Sequence, residues 1–168
     1  MSKIKSVQTL AVSGMLLALD VLLRRLLELG DVDTSFSLSF LVIAVAAYWY
    51  GPVVAGLVHG LADLLGAVLF PKGAPHIGLM VSAAAIGVIY GLFLYQKVTF
   101  WRIAAAATVS QLLISLTANS FWLSTLIGKG FGTMMVTRLP QVCIMLAIQI
   151  IVLPPFMAQI KKIPLHRK

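Results

Sequence analysis

The stretch GPVVAGLVHGLADLLGAVLFPKG, residues 51 to 73, decides which solvent this chain is built for. It is nearly all apolar, and a helix needs ~20 such residues to cross a bilayer. His59 and Asp63 nevertheless stand inside it, four residues apart. On a helix that spacing puts both on one face, one turn apart. A carboxylate in a run of Leu, Val and Ala calls for a partner or a ligand.

The rest of the chain agrees with a lipid environment. Of 168 residues, 60% are hydrophobic and 11% charged, and the mean hydropathy is +1.01. A soluble domain carries about 25% charged residues. We therefore expect an integral membrane protein, all-α. The formal charge of +8 sits mostly in terminal and loop stretches. That pattern orients membrane helices and does not call for nucleic acid. The single cysteine, Cys143, leaves no disulfide within the chain and no zinc-ligand spacing. The N-terminal MSKIKSVQTLAVSGML has two lysines before its apolar residues and no small-residue cleavage site. It reads as a first transmembrane helix and not as a removed signal peptide.

Six spans are expected, over residues 7–29, 36–50, 52–70, 77–95, 101–126 and 133–153. Gly51-Pro52 reads as the turn between the second and third, since proline suits the first position of a helix. The short joining loops argue for one domain, residues 1–168. With the N-terminus and C-terminus cytoplasmic, Lys3, Lys5, Lys97, Arg102, Lys161, Lys162, Arg167 and Lys168 fall inside, against Lys72 and Lys129 outside. The basic residues favour that orientation.

Ionisable groups within spans cost ~2.5 to 3.5 kcal/mol on insertion scales and mark functional sites by default. They are Asp20, Arg24, Arg25, Glu28, His59, Asp63 and Arg138, with Asn119 and Trp122 at a similar depth on the fifth span. Similar depths on several helices imply a polar cavity opening outward. For each residue a structural role stays open. Arg24 and Glu28 can snorkel to the interface. Asp20 and Arg24 can pair along one helix. Asp63 can serve an ion pair with an arginine of another helix. Two metal-type ligands, His59 and Asp63, without a third are a weak metal signal, and no metal site is expected.

No HExxH, GxSxG or phosphate-loop spacing is present, so no enzyme is expected, and GKGFGT at 128–133 lacks the loop's spacing. Energy for uphill transport would come from a partner or an ion. Ala11, Gly14 and Ala18 form a small-residue stripe on the first helix, suited to close helix contact with a partner or within the chain.

With these features the chain resembles the substrate-binding (S) components of energy-coupling factor (ECF) transporters, and within them the folate family. The carriers are LLALDVLLRRLL at 16–27, YGPVVAGLVHGLADLLGAVLFPKGA at 50–74, SAAAIGVIYGLFLY at 82–95, NSFWLSTLIGKGF at 119–131 and TRLPQ at 137–141. The resemblance implies a high-affinity vitamin-binding subunit in a bacterial plasma membrane. Its partners would be a transmembrane coupling subunit and two ATPase subunits, so ATP is hydrolysed there and no cofactor is held here. It implies a substrate site at Arg25, Asp63, Asn119, Trp122 and Arg138, to which His76, a histidine gained where the chain departs from the family pattern, is added as a lid residue. It also implies a partner face at Ala11, Gly14 and Ala18.

Where the family often reads FPGFTLSA, this chain has HIGLMVSA at 76–83. Ser35 and His59 also depart from the family pattern. Folate is the first expectation. Hydroxymethylpyrimidine or pyridoxine on the same scaffold is the alternative. A stand-alone secondary transporter or a small membrane enzyme is the alternative of another class.

Overall fold

The computed structural model of the protein describes residues 2–25, 29–30, 35–70 and 77–162. Helix dominates. The elements are α1 (Ser2–Arg25), β1 (Leu29–Gly30), β2 (Ser35–Phe36), α2 (Ser39–Leu69), α3 (Ile77–Leu94), α4 (Phe100–Val109), a π-helix (Ser110–Ala118), α5 (Asn119–Ile127) and α6 (Phe131–Ile160). The two short strands pair antiparallel, Leu29 opposite Phe36. From α4 through the π-helix to α5 the chain forms one continuous rod, Phe100–Ile127. That rod, α2, α3 and α6 are each long and apolar enough to cross a bilayer.

Helix α2 has two legs. At Gly51 the backbone takes φ 82° and ψ −171°, a conformation closed to residues with a Cβ, and Pro52 opens the second leg. The legs turn back on each other, as one carboxylate proves. Asp20 accepts from Ser39 on the first leg and from His59 on the second. In a straight helix those two residues would stand ~30 Å apart, at 1.5 Å per residue. Asp20 faces His59 and Arg24 faces Asp63 in the same order along both helices. The second leg therefore runs parallel to α1 and the first leg antiparallel to both.

The first leg is central. Val42, Ile43, Ala44, Val45, Ala46 and Ala47 are all buried, so the leg is covered on every side. Enclosed by protein and not by lipid, it has no need of a full span's length. The outer helices instead expose Val53, Leu57, Leu61, Val68, Val81, Leu92, Ile144 and Ile151. Apolar side chains on the surface and polar ones inside suit a lipid solvent.

The second leg of α2 packs on α3 through small residues from both. Gly56 and Gly60 face Ala84 and Val88, while Gly87 and Gly91 lie against the backbone of Ala55 and Pro52. A methyl group at Gly87 or Gly91 would overlap that backbone. These are two GxxxG spacings, and such close approach is what holds helices together in lipid. At the α3–α4 end, Gln96 N–H donates to Tyr48 O at 3.4 Å, Arg102 Nη1 donates to Phe93 O at 3.2 Å, and Lys161 Nζ donates to Val98 O. Lys97, Arg102, Lys161 and Lys162 thus gather at one end of the bundle.

Several span limits move. The first helix is described over Ser2–Arg25, and Leu29 lies in a strand, not in the helix expected to reach it. Phe36 is likewise in β2, with helix beginning at Ser39. The last helix runs past Leu153 to Ile160 although Pro154 and Pro155 remove two backbone donors.

Candidate ligand site

Two polar groups are built into the bundle. The first joins α1 to both legs of α2. Ser39 Oγ–H donates to Asp20 Oδ1, and the His59 ring meets Asp20 Oδ2 through Nδ1 at 2.7 Å. Arg24 Nη2 donates to His59 Nε2 at 2.7 Å, and Arg24 Nη1 donates to Asp63 Oδ1. Asp20 is 0% and His59 2% exposed, while the Arg24 and Asp63 side chains are 19% and 15% exposed. The chain of contacts thus starts in a sealed interior and ends at an accessible carboxylate. Asp63 does find an arginine on another helix, and it is Arg24. The local Asp20–Arg24 pair anticipated along α1 does not form, because each residue bonds across to α2. Arg24 is held inside by Asp63 and His59 and does not snorkel.

The second group lies on α5 and α6. The π-helix ends where the Asn119 N–H donates to Ile114 O, five residues back. The wider turn rotates the residues that follow relative to a regular helix, and such segments often stand beside functional sites. Immediately after it, Asn119 Oδ1 and the fully buried Ser120 Oγ have no hydrogen-bond partner among the described residues. The Trp122 indole lies against the Gly78 backbone at the start of α3, where any side chain at 78 would collide with the ring. Phe121 meets Trp122 edge-on with centroids 5.1 Å apart, and meets Phe131 at 6.4 Å. On α6, Arg138 and Gln141 are each 8% exposed and lie about one turn apart. A guanidinium can meet a carboxylate through two parallel N–H···O bonds.

Of the expected site residues, the structure places Asp63 in the first group and Asn119, Trp122 and Arg138 in the second. Arg25 is the last described residue of α1, but its side chain lies outside the described residues, as do His76 and Glu28. Sequence reasoning flagged Asp20 and His59 as out of place without foreseeing their pairing, and Ser39 it missed. It also missed a buried pair in the other half of the bundle, where Tyr90 Oη–H donates to Gln149 Oε1 at 3.0 Å. Ala11, Gly14 and Ala18 are exposed on α1, and nothing lies within 4 Å of a Cβ built at Gly14. No helix of this chain covers that stripe among the described residues.

Residues 8–157 match the family model described as the ECF transporter substrate-specific component. The folate transporter FolT of Clostridium novyi (strain NT) is 34% identical over 150 residues, covering 89% of this chain and 87% of that one. FolT of Leuconostoc mesenteroides subsp. mesenteroides is 32% identical over 112 residues, 66% of this chain and 60% of that one. Among solved structures, FolT bound with folic acid superposes with a TM-score of 0.84 at 28% identity, covering 93% of this chain and 94% of that one.

Proposed function

The chain belongs to the substrate-specific components of ECF transporters, and from that membership we propose that it captures folate outside the cell for ATP-driven import. It is a transport component of the membrane and not an enzyme. The observation that carries the ligand is the likeness, over about nine-tenths of both chains, to a protein caught with folic acid. That likeness favours folate over hydroxymethylpyrimidine or pyridoxine.

The site we propose draws on both polar groups. Arg138, buried in α6, meets a ligand carboxylate, where a bidentate contact is the strong geometry. Asn119 and Ser120 supply hydrogen bonds to the ligand's polar edge. The apolar flank formed with Trp122 holds its heteroaromatic ring, which prefers offset or edge-on aromatic contact. Asp63 presents its second oxygen to N–H donors of the ring. Arg25 and His76 complete the assignment.

The reading extends to topology and partners. The turn at Gly51 supports six spans within one domain, residues 1–168. The basic cluster of Lys97, Arg102, Lys161 and Lys162 supports an orientation with both termini cytoplasmic in a bacterial plasma membrane. The exposed Ala11, Gly14 and Ala18 stripe would dock a transmembrane coupling subunit, which with two ATPases supplies the energy.

The test is folic acid titration of the protein purified alone, followed by uptake into liposomes. Saturable binding, with uptake that needs the ATPase module, is expected. Co-purification of a pyrimidine or pyridine vitamin without folic acid binding would sink the ligand assignment. Uptake by the chain alone would make it a secondary transporter.

A further inference from the structure

We propose that His59 is a positioning residue for the ligand site, holding Arg24 and through it the accessible carboxylate of Asp63. The inference rests on the ligand-capture reading given above. Its basis is the donor inventory of four side chains. A guanidinium has N–H donors and no acceptor. The 2.7 Å contact between Arg24 Nη2 and His59 Nε2 therefore requires an unprotonated Nε2. The ring proton then sits on Nδ1 and is donated to Asp20 Oδ2 at 2.7 Å. His59 is the neutral Nδ1–H tautomer, gripped at both nitrogens. The other Asp20 oxygen is occupied by Ser39 Oγ–H, so the anchor is complete on its buried side.

The consequence lies at the far end. Arg24 has one terminal nitrogen on His59 and the other on Asp63 Oδ1, which fixes the plane of the guanidinium. The orientation of the Asp63 carboxylate follows from that plane. No other side-chain hydrogen bond to Asp63 is made among the described residues, and its side chain is 15% exposed against 0% for Asp20. With an apolar residue at 59, Arg24 would keep one anchor and Asp20 would lose a partner. His59 acts through Arg24 and does not itself need to touch the ligand, being 2% exposed.

The amides of Asn and Gln separate this role from mere packing. In His59→Gln the amide oxygen reaches the former Nε2 position and still accepts from Arg24. In His59→Asn the shorter amide stands near Nδ1, serves Asp20 and leaves Arg24 unmet. We expect His59→Gln to keep folic acid affinity within about threefold and His59→Asn to lose at least about tenfold, the scale of one charge-assisted hydrogen bond. Both should melt lower than the parent. Equal affinities in the two variants, or affinity loss that simply tracks melting, would overturn the proposal. A second readout needs no ligand. Nitrogen-15 NMR of labelled His59 should report a protonated Nδ1 and a bare Nε2, and the opposite tautomer or an imidazolium would also overturn it. If the parent protein fails to bind folic acid, the functional reading fails, while the NMR result still decides the geometry.

Discussion

His59 donates its Nδ1–H to Asp20 Oδ2 across 2.7 Å, between side chains that are 2% and 0% exposed. The pair joins α1 to the second leg of α2 at a depth where neither group has water to fall back on. Removing one partner of a buried hydrogen bond leaves the other unsatisfied and costs about 1–3 kcal/mol. Asp20→Ala should therefore lower the melting temperature in detergent sharply. The two single variants, Asp20→Ala and His59→Ala, should be strongly non-additive in the double variant. Additive effects would mean that the contact is not made in the membrane-embedded protein.

The reversal at Gly51 gives an independent test of the fold. Any Cβ at this φ of 82° is strained, and one built here comes within 3.2 Å of the Tyr95 ring. Gly51→Ala should cost about 1–3 kcal/mol, the range for a non-glycine residue held in such a region. Thermal unfolding of the purified protein measures it. A neutral result would indicate that the legs of α2 meet with a different backbone.

Part of this was legible in the sequence because it depends on composition and local chemistry. Long apolar runs mark membrane helices, and a Gly-Pro pair between two of them marks a turn. Asp63 called for a partner or a ligand because a lone carboxylate in lipid is too costly. Which arginine would answer was not legible. Arg24 and Arg25 are adjacent and differ by about 100° around the helix, so helix rotation decides between them. Asp20 and Arg24 have the spacing of a local pair, yet cross-helix partners supplied by α2 won. The π-helix at 110–118 has no residue-type signature, since it is a change in backbone register. The GxxxG spacings at Gly56/Gly60 and Gly87/Gly91 stand in the sequence, but spacing alone does not say which helix they face.

Trp122 and Gly78 offer a lever on the proposed ligand site through packing. A side chain at 78 would occupy the space of the indole. Gly78→Val should displace Trp122 and weaken folic acid binding by about tenfold or more, as loss of an aromatic contact of ~1.4 kcal/mol would. Trp122→Ala should show a comparable loss, and the double variant little more than either alone. Binding isotherms in detergent decide it, and full affinity in Gly78→Val would remove Trp122 from the proposed site.

Gly14 supplies the contrast that separates folding from coupling. Nothing lies within 4 Å of a Cβ at this position, whereas one at Gly91 would run into the Pro52 backbone. Gly91→Leu overpacks a helix contact and should cost about 1–3 kcal/mol or prevent folding. Gly14→Leu meets open space in the isolated chain, so melting and folic acid affinity should stay at parental values, within ~0.5 kcal/mol for a surface change. If the stripe of Ala11, Gly14 and Ala18 docks the coupling subunit, that same variant should fail to assemble with it. ATP-driven uptake would then drop, since close helix approach needs small residues. Co-purification of the module with the variant, alongside uptake into liposomes, makes the measurement. Normal assembly and normal uptake by Gly14→Leu would place the coupling surface elsewhere on the bundle.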